Sequence, residues 1–380
     1  MIYLDAAATT QTKREVLEAM WPYLTGEFGN ASSHHTLGES AARALGDARQ
    51  TVAAVLGCRA SEVTFTSGGT EADNLAVKGI ALASPRGRHV ITTAIEHEAV
   101  LESCEYLRRR HGFEITYLPV DGFGRVSVEQ VRTSITPETT LCSVMLANNE
   151  VGTIEPIHEI ALVAGSSKVP VHTDAVQAAG VLDLKVRALG VDALTISGHK
   201  LGAPKGVGAL YVRGRVPVEP LVHGGGQERG RRSGTENVAA AVGLARALQL
   251  AESSRSWRVG RLSGLRDALI EGVLGTVPSA RLTGDPTHRL PGSASFCFPG
   301  TSGEAVLLQL EQRGIVCSSG SACAAGSDRP SHVLVAMGIA PEIAQTAVRF
   351  TLGDGTTAEQ IEEVVRAVRD ASKAVRSLAR

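Results

Sequence analysis

The chain is expected to fold as an α/β protein, with a large domain built on a mostly parallel sheet and a smaller α/β domain after it. Three observations carry that expectation. Short β-branched or apolar runs alternate with amphipathic helical patterns along most of the chain. Glycine turns join several of those runs to the helix that follows, as Ser67-Gly-Gly-Thr70 does. After a helical stretch from about 236 to 252 the pattern changes to an Arg/Ser-rich helix, then the run Ser293-Ala-Ser-Phe-Cys-Phe298, then a second alternation of strand and helix. No internal repeat and no low-complexity linker interrupts the order. A chain of 380 residues suits one large domain with a smaller companion.

The strand candidates are 62–66, 89–93, 115–118, 141–146, 169–173, 192–196 and 208–212. Each is short and rich in Val, Ile, Leu or Thr, the side chains that sit well on a pleated, buried surface. Helical patterns fall at 39–56, 71–83, 98–110 and 175–179. In a parallel sheet of this kind, ligands collect outside the carboxyl ends of the strands. Gly69, His97, Asn149, Asp174 and Lys200 all directly follow predicted strands, so one cleft could receive all five.

Lys200 ends Asp192-Ala-Leu-Thr-Ile-Ser-Gly-His-Lys200, a buried-looking strand running into a glycine turn. Val169-Pro-Val-His-Thr-Asp174 delivers a carboxylate at its own carboxyl end. An amine that condenses with an aldehyde, and a carboxylate that keeps a pyridine nitrogen protonated, are the minimum needed to hold pyridoxal phosphate. Upstream, Gly68-Gly69-Thr70 opens a helix whose free N–H groups and positive dipole end suit a phosphate. Each feature has a plainer alternative. A lysine after Ser-Gly-His can be a solvated turn residue, and a strand-to-helix turn can need glycine for steric reasons alone.

A formal net charge of −1, with no arginine-aromatic stripe, removes the usual reason to expect nucleic-acid binding. The cluster Arg229, Arg231 and Arg232 lies in a glycine loop. Met1-Ile-Tyr-Leu-Asp lacks the basic start and apolar core of a signal peptide, and no apolar run is long enough for a bilayer, so a soluble, cytoplasmic protein is expected. The six cysteines, at 58, 104, 142, 297, 317 and 323, form neither a C-x-x-C pair nor a dense framework, which argues against structural zinc and a disulfide scaffold. Cys323 sits in the polar stretch Cys317-Ser-Ser-Gly-Ser-Ala-Cys323-Ala-Ala-Gly-Ser-Asp-Arg-Pro330, where a thiol would be exposed and movable. Cys317, after Gly314-Ile-Val316, reads as the end of a buried strand.

Ten segments in order resemble the cysteine desulfurases of the NifS/IscS type, in the class V aminotransferase superfamily. They are Tyr3-Leu-Asp-Ala-Ala-Ala-Thr-Thr10, Gly29-Asn-Ala-Ser-Ser-His-His35, Phe65-Thr-Ser-Gly-Gly-Thr-Glu-Ala-Asp-Asn74, Glu96-His97, Asn148-Asn-Glu-Val-Gly-Thr153, His172-Thr-Asp-Ala-Val-Gln177, Ser197-Gly-His-Lys200, Gly224-Gly-Gly-Gln-Glu-Arg229 (counting from Gly224), Arg232-Ser-Gly-Thr235 and Ser318-Ser-Gly-Ser-Ala-Cys323. The resemblance implies a fold-type I transferase dependent on pyridoxal 5'-phosphate. Residues 14–255 would form the large cofactor domain, and residues 1–13 with 256–380 the small domain, carrying a mobile cysteine loop at about 318–331. The implied reaction removes sulfur from L-cysteine, leaving L-alanine and a persulfide on Cys323. No metal is expected in the free enzyme, although Cys323 could serve transiently as an iron–sulfur ligand.

The same resemblance implies the roles. Lys200 holds the cofactor aldehyde and then acts as the base near Cα, Asp174 holds the ring nitrogen protonated, and His97 stacks on the ring and moves protons at the substrate thiol. Without the Glu96-His97 match, His97 reads sooner as a packed core histidine. Asn149 and Gln177 would bond the ring hydroxyl, and Gly69, Thr70, Ser197 and His199 the phosphate. Thr235 would reach the phosphate of a neighbouring subunit, which requires a homodimer. Arg349, in Val348-Arg-Phe-Thr351, would clamp the substrate carboxylate with Asn149 nearby, a task that favours guanidinium; a surface salt bridge is its plainer alternative. The Ser-Ser-Gly-Ser-Ala-Cys form resembles the housekeeping branch, which implies delivery to an iron–sulfur scaffold protein or another acceptor such as a tRNA-thiolation enzyme. Three positions depart from the family pattern: Ala6 where a polar residue is usual, Ala203 where glycine is common, and Gly353-Asp354 where Gly-Arg is typical. A selenocysteine lyase or another class V aminotransferase of the same fold is the alternative.

Overall fold

Strands 63–66, 208–212, 193–197, 171–174, 139–143, 89–93 and 114–118 lie side by side in that order as one seven-stranded sheet. This computed structural model describes residues 1–84, 86–319 and 330–378. Six strands point the same way, and Gly208–Val212 is antiparallel to both of its neighbours. The six strands from Val63–Thr66 to His89–Thr93 in the spatial order are buried at every residue, as a sheet covered on both faces requires. Glu114–Leu118, at the edge, is buried only at Leu118.

Two apolar layers cover the faces. Helices Arg14–Leu24, Thr36–Leu56, Ile157–Ser166 and Val238–Ser253 pack in one core with Phe65, Ile196 and Tyr211. Gly69–Ala83 and Glu98–His111 pack in the other with Val90, Leu141 and Leu210. The sheet therefore holds rigidly the loops at its carboxyl end. Gly208 shows how close the elements come: a Cβ there would stand 2.6 Å from the carbonyl carbon of Gly68. Only a glycine lets this strand pass beneath that turn.

A second core gathers Ile2, Leu4, Phe296, Phe298 and Phe350 with helices Arg255–Thr276 and Ala358–Leu378. Its sheet has Ser293–Cys297 between Ala347–Thr351 and Arg281–Thr283, all antiparallel. Each of the three fully buried phenylalanines contributes about 1.5–3 kcal/mol of transfer free energy. Ile2–Tyr3 pairs in parallel with Ile315–Val316, so the chain's first residues join this second core although the large sheet follows them directly in sequence.

One expected helix is absent. Residues 175–179 form a series of tight turns, with Ala178 and Ala179 both donating to the Ala175 carbonyl. Asp174 Oδ1 accepts the Val176 N–H at 2.8 Å, and Gly180 follows at φ +74°, so a helix cannot propagate from either end. No helix among the described residues is long and apolar enough to cross a membrane.

Candidate active site

The carboxyl ends of the parallel strands open into a cleft of about 320 Å³, a size that suits a small cofactor. Gly69, Thr70, His97, Asn149, Asp174, Gln177, Ser197, His199, Lys200 and Arg349 all line it. Residues separated by up to 280 positions in sequence thus meet because each ends a strand or sits in the loop after one, save Arg349, which lies within the second sheet.

Gly69 opens the helix Gly69–Ala83, and Gly68 before it offers no side-chain cap. The first-turn N–H groups therefore point out of the helix without a capping oxygen, as an anion site needs. A Cβ on Gly69 would stand 3.0 Å from Val176 Cγ2 and 3.4 Å from Ser197 Cβ, so glycine keeps this cradle open beside Ser197. Glu71, in the first turn of the helix, accepts the Ser67 N–H at 2.8 Å and pairs with Arg232 at 2.8 Å. This ties the loop bearing Arg232 and Thr235 to the glycine turn. The same loop is anchored below by Glu228, which takes two bonds from Arg49, at 2.6 and 2.8 Å, and one from Phe65 N–H at 3.0 Å. Arg229 and Arg231 bond backbone carbonyls at Ala60, Ser61 and Val63. The arginine cluster thus braces the loop.

Lys200 closes a short 3₁₀ turn, Gly198–Lys200, directly after the strand Ala193–Ser197. Its Nζ donates to the Ala7 carbonyl and, at 2.8 Å, to that of Ala8. Gln177 Nε2 also donates to Ala7 O, at 3.1 Å, and Thr10 Oγ1 donates to His199 O at 2.7 Å. His199 Nδ1 lies 3.1 Å from Thr9 Oγ1, and burial pushes this imidazole down to about 4, which keeps it neutral. A solvated turn lysine does not describe Lys200, which is fastened to the N-terminal segment inside the cleft.

Asp174 and Asp73 are two buried carboxyls on the same wall. Burial raises both, and Asp174 raises Asp73 further, so Asp73 is the one held protonated; His97, the Val176 N–H and Lys200 pull Asp174 back toward the anion. His172, behind them, bridges Ser143 Oγ at 2.9 Å and Thr195 Oγ1 at 3.1 Å, and burial pushes it down to about 3. Asp174 is thus the carboxyl of this wall that its neighbours favour as the anion.

His97 is the N-cap of helix Glu98–His111, and its Nδ1 accepts the Ala99 N–H at 3.1 Å. That bond leaves the neutral ring's proton on Nε2. The packed-core alternative does not hold, since the half-buried ring lines the cleft. Burial pushes Glu96, just before it, up to about 8, so this side chain is neutral at pH 7 while its Oε1 accepts from Thr93 Oγ1 and Met145 N–H. Asn148 fixes the neighbouring turn, its Oδ1 accepting from the N–H groups of Glu150 and Val151. Arg349 is 2% exposed, which removes the surface salt-bridge alternative. Its Nη1 donates to Asn149 O at 2.9 Å and its Nη2 to Asp5 Oδ1 at 2.8 Å.

Thr235 is exposed and does not line this cleft. Cys323 lies outside the described residues. Burial pushes the other five thiols up, to about 12 at Cys58, Cys104, Cys142 and Cys317 and to about 11 at Cys297. Cys317, expected at the end of a buried strand, instead follows the two-residue strand Ile315–Val316 and is half-buried. At the departures from the family pattern, Ala203 is buried, and Asp354 pairs with Arg258 at 2.6 Å and Lys13 at 2.9 Å. The reversed charge is thus neutralised locally, while Arg349 has its own carboxylate partner.

Residues that sequence reasoning left without a role are Asp5, Asp73 and the Ala7 and Ala8 carbonyls. The two aspartates lie inside recognised motifs, so composition marked them without showing where they point. Backbone carbonyls carry no residue-type signal at all.

The donor set fits pyridoxal phosphate: an uncapped glycine-opened helix for the phosphate, a buried aspartate for the ring nitrogen, and a lysine beside both. Residues 2–364 match the family model for aminotransferase class-V. The chain is 46% identical over 378 residues to "Cysteine desulfurase IscS" of Methanosarcina thermophila, covering 99% of this chain and 93% of that one. It is 47% identical over 367 residues to the protein of the same name from Clostridium botulinum strain Hall, covering 96% and 92%. Among solved structures, a NifS-like protein superposes with a TM-score of 0.92 at 38% identity, over 98% of this chain and 99% of that one. A structure described as SspA in complex with cysteine gives 0.82 at 37%, over 93% and 99%. The chain belongs to the class-V aminotransferase family and, within it, to the cysteine desulfurases.

Proposed function

We propose that this protein takes sulfur from L-cysteine onto Cys323, releases L-alanine, and passes the sulfur to an iron–sulfur scaffold protein or another acceptor in the cytoplasm. The observation that supports it most is the convergence of Lys200, Asp174, His97 and Arg349 on one cleft. A second support comes from the thiols. Burial holds all five described cysteines far from the thiolate, whereas Cys323 lies five residues past Ser318, whose backbone pairs with that of Arg349.

When bound, pyridoxal phosphate supplies an electron-withdrawing ring that stabilises negative charge at the substrate Cα. Gly69, Thr70, Ser197 and His199 would hold its phosphate, and Asn149 and Gln177 would bond its ring hydroxyl. Asp174 would keep a proton on the ring nitrogen, and that charge pairing would lower the cost of removing the Cα proton. Arg349 takes the substrate carboxylate, which orients Cα toward Lys200, and Lys200 carries the proton away. His97, with its Nε2 proton, serves the substrate sulfur. The Cys323 thiolate then attacks that sulfur: a new S–S bond forms, the substrate C–S bond breaks, and the electron pair stays on carbon to be protonated. Cysteine plus thiol becomes alanine plus persulfide, with atoms and electrons balanced and no outside oxidant.

Residues 14–255 form the cofactor domain in this account, and 1–13 with 256–380 the small domain carrying the cysteine segment. A homodimer completes the phosphate site through Thr235. It is supported by the exposure of Thr235 on a braced loop and by the exposed apolar side chains Leu17, Trp21, Leu24 and Phe28. The test is product stoichiometry: with a thiol reductant and pyridoxal phosphate, the purified protein is expected to release alanine and sulfide from L-cysteine in equal amounts. Amino transfer to pyruvate without sulfide would make it an aminotransferase, and activity confined to selenocysteine would make it a lyase.

A further inference from the structure

We infer that Asp5 is a positioning residue for substrate recognition, holding the Arg349 guanidinium in the orientation that receives the α-carboxylate. This rests on the role proposed above for Arg349. Two of the arginine's nitrogens are committed within the protein: Nη1 to Asn149 O at 2.9 Å and Nη2 to Asp5 Oδ1 at 2.8 Å. The third, Nε, is buried and makes no hydrogen bond among the described residues. Two fixed contacts set the plane of a guanidinium, and an unspent donor in a buried group points to a ligand that completes it.

Asp5 is itself fixed in register with the strand that carries the arginine. It bridges Thr351 in parallel, Thr351 N–H donates to Leu4 O at 2.8 Å, and Ala6 N–H donates to Thr351 O at 3.1 Å. Ala7 N–H adds a bond to Thr351 Oγ1 at 2.8 Å, and Tyr3 Oη donates to Asp5 O at 3.0 Å. Immediately beyond, the Ala7 and Ala8 carbonyls accept from Lys200. One segment of four residues therefore sets the carboxylate clamp and the catalytic amine relative to each other. Asp5 also compensates the charge of a nearly buried guanidinium, which would be costly to leave alone. Its carboxylate bonds the guanidinium directly, so its loss acts first on the arginine.

The experiment compares two ligands of the holoenzyme, L-cysteine and cysteamine, which shares the amine and the thiol but lacks the carboxylate. Their apparent dissociation constants are read from the early change in cofactor absorbance on rapid mixing. Arg349→Ala is expected to abolish the preference for L-cysteine. Asp5→Ala is expected to cut that preference about tenfold or more, the scale of a hydrogen bond to a charged group, while cysteamine binding stays put. Asp5→Asn, which keeps an acceptor oxygen, should restore most of it. If Asp5→Ala does not accumulate as folded protein, Asp5→Ser, too short to reach Nη2, takes its place. A wild-type preference in Asp5→Ala beside a collapsed one in Arg349→Ala overturns the inference, and so does an Asp5→Asn protein as impaired as Asp5→Ala. A preference unaffected by Arg349→Ala removes the proposed role of Arg349 and the inference with it.

Discussion

Lys200→Ala is expected to lose turnover of L-cysteine by at least about a thousandfold, the scale at which a positioned proton carrier contributes. Among the described residues Lys200 is the only lysine lining the cleft, and the strand Ala193–Ser197 and its 3₁₀ turn deliver it there with no flexible loop in between. Alanine in its place removes a donor from the Ala8 carbonyl, leaves the Ala7 carbonyl with Gln177, and leaves the cleft without that amine. The fold should survive, because Lys200 is half-buried at the cleft and contributes no side chain to the apolar clusters. The cofactor would still be held by Asp174 and the glycine-opened helix, but without a covalent bond. Dialysis should therefore strip it from the variant and leave the parent protein coloured. A variant that keeps its colour through dialysis and its turnover would assign the amine elsewhere.

Cys323→Ala is expected to separate binding from sulfur transfer. Its affinity for L-cysteine, read by the same absorbance change, should stay within about twofold of the parent, since Arg349, Asp174 and Lys200 are unchanged. Transfer of labelled sulfur to an acceptor protein should fall below detection. No described thiol can substitute, because burial holds Cys58, Cys104, Cys142 and Cys317 near 12 and Cys297 near 11, where under about one in a thousand molecules carries a thiolate at pH 7. Even Cys317, beside Asp5 and Arg349 in the electrostatic balance, is pushed up first by burial and then by the Asp5 carboxylate. Normal transfer by Cys323→Ala would remove this cysteine from the pathway. Equal defects in binding and transfer would mean that the thiol supports the cleft instead of attacking the sulfur.

The residues most legible in the sequence are those whose role depends on where a strand ends. Asp174 and Lys200 could be placed in one cleft because apolar runs precede them, and parallel strands bring their carboxyl ends to one side. The phosphate turn was legible for a similar reason: glycine at a strand-to-helix turn reports both a steric need and an uncapped helix. The turn at 175–179 was not, since its apolar and polar residues read as helical and only the Asp174 bond to Val176 N–H shows why the backbone turns instead. Arg349 was found by resemblance alone. Nothing in Val348-Arg-Phe-Thr351 says that a strand of the second sheet reaches the first sheet's cleft, or that the first residues of the chain cross over to meet it. That crossing depends on long-range packing of Ile2 and Leu4 into the second core, which no local pattern encodes.

The central claim is that this cleft moves sulfur from cysteine to Cys323, and a single turnover with sulfur-labelled L-cysteine tests it most directly. The holoenzyme is mixed with less than one equivalent of substrate, without reductant or acceptor, then alkylated, digested and mapped. The account predicts label on the peptide containing Cys323 and one alanine released for each labelled sulfur. Alanine released with the label on a different cysteine, or with all of it free as sulfide and none on the protein, would contradict it.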